Sequence, residues 1–246
     1  MKLIPAIDLR DGQCVRLYQG KFDRQTDYNN DPVSLAQDYR ALGCEELHIV
    51  DLDGARLGRQ QNQEIIRAIV ETSQLTVQLG GGVRSESALE TWLRAGVSRV
   101  VIGSLAVNEP KLVADWLTRY GAEKIVLALD VNLDSSGTPC VTTHGWTRQA
   151  TQSLWQCIDQ YAATEMPRIL CTDISRDGAL TGPNINLYSR LVERYPDIRL
   201  QASGGIRNLE DLEALQKIGA SAAISGRALL DGNITAGEIR TFLLAA

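Results

Sequence analysis

The chain has 246 residues, 44% hydrophobic and 22% charged, with a formal net charge of -5; that length suits one α/β barrel of about 250 residues, and the lack of any basic tract excludes nucleic acid as a partner. Five scattered cysteines (Cys14, Cys44, Cys140, Cys157, Cys171), odd in number and without C-x-x-C spacing, exclude a disulfide framework and a zinc site, and with His48 and His144 as the only histidines no metal is expected. The start, Met1-Lys2-Leu3-Ile4-Pro5-Ala6-Ile7-Asp8, meets a proline and an acid too early for a signal peptide, and no apolar run is long enough for a bilayer, so a cytoplasmic protein off the membrane is expected.

A first strand is predicted at 3–8 and ends on Asp8, although Pro5 removes one ladder donor. Residues 9 to about 30 follow, carrying Arg16, Lys21, Arg24 and Tyr28, too long for a simple turn and read as a structureless lid or binding segment. Asp31-Pro32 then offers an N-cap with proline at the first helical position, and Gly43 a stop. The second strand, 46–51, leads into Asp51 and Asp53, both read as structural; the third, 76–80, leads into Gly81-Gly82 and a helix from Ser85 to Ala95 stopped by Gly96. The fourth, 99–103, runs into Gly103-Ser104, and the fifth, 124–130, ends on Asp130. A second long connection, 131 to about 150, holds Ser135-Ser136-Gly137, His144, Gly145 and Trp146 and is read like the first. The sixth strand, 168–173, opens the loop Thr172-Asp173-Ile174-Ser175-Arg176-Asp177-Gly178; the seventh, 198–203, precedes Gly204-Gly205, and the eighth, 222–226, precedes Arg227. Most strands are continuously apolar, as parallel strands covered on both faces are. Strand and helix alternating eight times predict a (β/α)8 barrel.

Sliding the sequence on itself by 123 residues aligns 77–106 with 200–229 without a gap, placing Gln78, Gly81, Gly82, Arg84, Gly96 and Gly103 on Gln201, Gly204, Gly205, Arg207, Gly219 and Gly226. A shift of 122 places Asp8 on Asp130 and Asp51 on Asp173. The expectation is one domain, 1–246, of two half-barrels, about 1–122 and 123–246. In a closed ring, strands 3 and 4 then face strands 7 and 8, and strand 1 faces strand 5.

Glycine pairs after strands let backbone N–H groups approach an anion, and the next helix adds its dipole. Gly81, Gly82, Gly103 and Ser104 make one such pair of loops, and Gly204, Gly205, Gly226 and Arg227 the other. A substrate with a phosphate at each end would span the mouth, its reacting centre over the axis between Asp8 and Asp130. One carboxylate can take a carbon-bound proton while another acid protonates a ring oxygen. Asp177 is a third acid, in an Asp-Gly pair that is also a common turn. Arg16, Arg84 and His48 join the candidate binding set; Arg16 can pair with a phosphate and Trp146 can stack on a planar ring, as readily as either can serve local packing. No cofactor is called for, and a monomer is expected.

Ile4-Pro5-Ala6-Ile7-Asp8-Leu9-Arg10-Asp11-Gly12 with Cys14-Val15-Arg16-Leu17, Gly80-Gly81-Gly82-Val83-Arg84, Thr172 to Gly178 and Ala202-Ser203-Gly204-Gly205-Ile206 closely resemble the phosphoribosylformimino-aminoimidazole carboxamide ribotide isomerase family of histidine biosynthesis, over essentially the whole chain. The resemblance implies an Amadori rearrangement in which one ribose of a bis-phosphorylated substrate opens from aminoaldose (ProFAR) to aminoketose (PRFAR). It implies Asp8 as base, either Asp130 or Asp177 as acid, Thr172 as the threonine of the sixth-strand loop and Trp146 as the stacking tryptophan. The runner-up is the sister barrel, the cyclase subunit of imidazole glycerol phosphate synthase, whose first strand typically reads C-L-D-V-K-D-G; Leu9-Arg10 and Val15-Arg16-Leu17 favour the isomerase. Acceptance of phosphoribosylanthranilate stays open, and a non-catalytic sugar-phosphate binder would have no use for Asp8 and Asp130.

Overall fold

Along the first strand, β1 (Lys2–Arg10), side chains alternate between two packed environments. Leu3, Ile7 and Leu9 join the large core outside the barrel, whereas Ile4 and Ala6 join a small one inside it with Val101, Val126, Leu170, Ala222 and Ile224. A strand buried on both faces cannot show polar alternation, which is why its sequence reads as an unbroken apolar run. The period of two continues upward, so Asp8 follows Ile4 and Ala6 on the inner side at the C-terminal end of the strand.

In this computed structural model all residues are described except Asn29, His144, Thr147 and Ala246, with Arg148 and Gln149 described for the backbone alone. The chain continues through β2 (Gln13–Tyr18), β3 (Lys21–Tyr28), β4 (Glu46–Asp51), β5 (Thr76–Gly80), β6 (Arg99–Ile102), β7 (Ile125–Leu133), β8 (Pro139–Thr143), β9 (Arg148–Ser153), β10 (Arg168–Asp173), β11 (Arg199–Ser203) and β12 (Ala222–Ser225). Eight of these, β1, β4, β5, β6, β7, β10, β11 and β12, pair in parallel in that order and close when β12 pairs with β1. This is the (β/α)8 barrel expected from the alternating pattern. Seven of the eight ring strands fall within two residues of the predicted spans, and β7 ends three residues beyond its own, at Leu133. Pro5 is accommodated opposite Ser225.

Helices cover the outside. Asp31 caps Pro32–Ala41 by accepting from the Ser34 backbone N–H, and Gly43 follows with φ +101. Ser85 caps Glu86–Arg94 in the same way through Ala88, with Gly96 behind it. Among the described residues no helix is long and apolar enough to cross a membrane.

The structure corrects the reading of the two long connections as structureless. Residues 13–18 and 21–28 form the antiparallel pair β2–β3, with β2 hydrogen-bonded to the top of β1, and residues 139–143 and 148–153 form β8–β9, with β8 bonded to the top of β7. The physical reason is extension: β1 and β7 each run past the ring, to Arg10 and Leu133, and their free edges are completed by the chain folding back. Neither segment alternates cleanly in sequence, so periodicity does not reveal them. Each hairpin stands over the mouth from one side.

Candidate active site

Asp8 on β1 and Asp130 on β7 lie four strands apart in a ring of eight, so they face each other across the mouth. Both line one cavity of about 390 Å³, with Thr172, Asp177, His48 and Trp146. That volume is of the size that holds a small organic ligand. Gly81, Gly82, Arg84, Gly103 and Ser104 line its rim on the β5–β6 side.

The two acids have different neighbours. Arg16, carried on β2, donates from Nη1 to Asp8 at 2.9 Å and from Nη2 to Asp177 at 3.0 Å, so one buried guanidinium bridges two carboxylates. Burial raises the Asp8 carboxyl above its ordinary value, Arg16 opposes this, and the charge of Asp177 adds to it. Among the described residues no cation lies against Asp130. Its carboxylate accepts from the Trp146 indole N–H at 2.8 Å and from Thr172, its partner in the β7–β10 register. Burial raises the Asp130 carboxyl and outweighs these two bonds.

The hairpins meet over the cavity. The Trp146 ring fills the place where a side chain on Gly20 would stand, so the tips of β2–β3 and β8–β9 touch. The Gln19 N–H donates to the Asp177 carbonyl at 3.1 Å, and its side chain to Ser175, which fastens the first hairpin to the loop after β10.

The second set of glycine loops lies elsewhere. Gly204, Gly205, Gly226 and Arg227 surround a separate pocket of about 20 Å³, room for one water rather than a phosphate. Arg16 and Asp177 line both spaces and stand between them. The Arg16 guanidinium rests where a side chain on Gly226 would be. In this state the single mouth expected from the sequence is divided by the Asp8–Arg16–Asp177 bridge.

Arg84 donates to the Ala55 carbonyl at 3.0 Å and Arg227 to the Gly178 carbonyl at 2.6 Å, so each ties one βα loop to another. Asp51 and Asp53 are consumed in loop bonds with Gly54, Gln61, Asn62 and Asp11, and neither lines the cavity. Asp173 binds Asn184 at 2.7 Å as Asp51 binds Asn62 at 2.7 Å. The glycine pairs have a reason the sequence does not give: Cβ atoms on Gly81 and Gly82 would strike the Asp51 and Gly54 backbones, and on Gly204 and Gly205 those of Asp173 and Gly182. Thr142 and Thr143 of β8 also line the cavity, although in sequence their segment reads as a loop; the β-branched run Val141-Thr142-Thr143 is the available signal. His144 lies outside the described residues. Among those described, no group of three or more His, Cys, Asp or Glu side chains is arranged to hold a metal ion.

The histidine biosynthesis protein family model matches residues 2–235. Curated proteins of Alteromonas mediterranea and Pectobacterium atrosepticum are each 47% identical over 236 residues, covering 96% of this chain and 96% of the relative. One of Actinobacillus succinogenes is 45% identical over 236 residues, covering 96% and 95%. All three carry the name 1-(5-phosphoribosyl)-5-((5-phosphoribosylamino)methylideneamino) imidazole-4-carboxamide isomerase.

Proposed function

Because this chain belongs to the histidine biosynthesis protein family, we propose that it isomerises the bis-phosphorylated aminoaldose ProFAR to the aminoketose PRFAR, as its relatives are named to do. The observation that carries the reading is the pair Asp8 and Asp130, facing each other in one cavity beside a rim of glycine turns.

The surroundings divide the labour. Asp130, raised by burial and with no cation against it among the described residues, is the group suited to hold a proton, and so the acid. Asp8 is kept available as a carboxylate by Arg16, and so the base. Asp177, bound to the same guanidinium, is an anchor for Arg16. Protonation of the ring oxygen by Asp130 breaks the ring C–O bond and leaves an iminium at C1. Asp8 takes the proton from C2, and the electron pair left behind neutralises the iminium to give an enaminol; this takes a proton at C1 from Asp8 and gives its hydroxyl proton to Asp130, leaving the aminoketone and both carboxyls in their starting states. Thr172 orients Asp130, and Trp146 stacks on the imidazole once its indole N–H leaves the acid.

Gly81, Gly82, Gly103 and Ser104 take one phosphate, with Arg84 at the rim; Gly204, Gly205, Gly226 and Arg227 take the other. The second requires Arg16 to leave its present place against Gly226 and pair with the anion. In a product complex the Asp8–Arg16–Asp177 bridge is expected to be open, with a phosphate at each glycine set; both phosphates bound beside an intact bridge overturns that role for Arg16. Every residue of the scheme comes from one chain, so a monomer suffices. All five cysteines are free, which suits a reducing cytoplasm.

The decisive experiment is direct assay with ProFAR, without ammonia. Asp8→Asn should lower kcat at least about 100-fold with KM changed less than about threefold. Turnover near that of the parent enzyme removes Asp8 from the chemistry.

A further inference from the structure

Beneath the two acids the barrel interior holds polar side chains that the scheme above leaves without a task. Gln78 on β5 and Gln201 on β11 meet across the barrel, both buried, and exchange two hydrogen bonds: each Nε2 donates to the other's Oε1 at 2.9 Å. Gln78 Nε2 has a second hydrogen, and His48 Nδ1 lies 3.1 Å away. An amide nitrogen only donates, so Nδ1 must accept, and a neutral imidazole must then carry its one proton on Nε2. The ring is neutral: burial, and secondarily the Arg16 cation, push its pKa down to about 3. His48 lines the cavity. In the β1–β4 register Val50 stands beside Asp8 and His48 beside Ala6, so the imidazole sits one inward step below Asp8, on the strand between β1 and the strand that carries the Gly81–Gly82 turn.

We propose that the crossed glutamine pair locks His48 as its Nε2–H tautomer, giving the cavity a fixed neutral donor for a hydroxyl oxygen of the sugar that lies between Asp8 and the Gly81–Gly82 turn. The identity of that ligand rests on the isomerase reading; the tautomer does not. A charged imidazole here would compete with Arg16 for Asp8, and an Nδ1–H imidazole would offer the sugar an acceptor. In the observed orientation the reciprocal amides oppose both options: turning one over sets oxygen against oxygen at 201 and against Nδ1 at 48, so the two amides can turn only together. His48 contacts substrate; Gln78 and Gln201 are positioning residues.

Isotope-labelled histidine allows the test by nitrogen NMR, with His144→Gln used to assign the His48 signal. In the ligand-free enzyme at neutral pH, His48 should show the Nε2–H pattern; an Nδ1–H pattern, a tautomer mixture or an imidazolium overturns the lock. The double variant Gln78→Met with Gln201→Met leaves neither amide unpaired. It should lose the single tautomer and raise KM about threefold to tenfold, with kcat within about threefold; an unchanged tautomer and KM count against the positioning role. His48→Leu should raise KM about tenfold, and His48→Gln, which restores an N–H donor, should recover most of it. Equal KM values for the two mean that the ring only fills space. If the parent enzyme fails to turn over ProFAR, the isomerase reading falls while the ligand-free spectrum still decides the tautomer.

Discussion

Asp8 and Asp130 are the same side chain in two surroundings, and the difference is one guanidinium. Burial lifts both carboxyls above 3.8, but only Asp8 has Arg16 to oppose it. A carboxyl with a raised pKa in the folded chain contributes stability that is fully present below its ordinary value and is lost as pH rises through the raised one. Asp130→Asn abolishes that loss and keeps an oxygen for the Trp146 indole. The variant should therefore be more stable than the parent by about 1 kcal/mol at about pH 8, with the advantage gone by about pH 4, while activity collapses. Urea unfolding at the two pH values measures it; a variant less stable throughout would mean that Asp130 is held by its bonds more than it is penalised by burial. The aspartates were legible in the sequence because each ends an apolar strand. Which one carries a counter-ion was not, since Arg16 and Asp177 are separated by 161 positions in the chain.

At the scale of elements, capped helices and doubly buried strands declare themselves locally, and the hairpins do not. Lys21–Tyr28 is largely exposed on β3 and has no apolar face to advertise; it is held by its ladder with β2 and by Arg24 stacked 4.3 Å over the Tyr18 ring. Its tip depends on Gly20, with φ +68 and the Trp146 ring where a Cβ would be. Gly20→Ala should cost about 1 kcal/mol or more in backbone strain and part the two hairpin tips. Acrylamide quenching of tryptophan fluorescence should increase, and the increase should be absent when Trp146→Phe is also present. Unchanged quenching means that the tips do not hold one another.

Across the whole molecule the two ends of the barrel have different work. At the N-terminal end Glu46, on β4, receives Lys2 at 2.7 Å and Arg99 at 2.7 Å, with both Glu46 and Arg99 buried. Burial pushes the Glu46 carboxyl up, but the bonds and charges of Lys2 and Arg99 outweigh it and hold the group below its ordinary value. Its contribution is thus present above that ordinary value and lost as pH falls through the lowered one, the reverse of Asp130. Glu46→Gln should cost about 3 kcal/mol at neutral pH, because it leaves Arg99 buried without its counter-charge, and kcat should stay within about twofold, because this face of the fold serves stability. Loss of kcat without loss of Tm would place Glu46 in the catalytic machinery instead.

The sequence by itself determined the ring: eight apolar runs, their caps and stops, and the acids and glycines at the upper ends of the strands. These are local signals, set by burial period and backbone geometry within a few residues. Only the tertiary structure decided that Arg16 bridges Asp8 and Asp177, that Gln78 meets Gln201, that Trp146 lies over Gly20, and that one glycine set opens on the cavity while the other lines a small separate pocket. Each of these is a contact between residues far apart in the chain, and no periodicity carries information about which distant side chain will fill a given space.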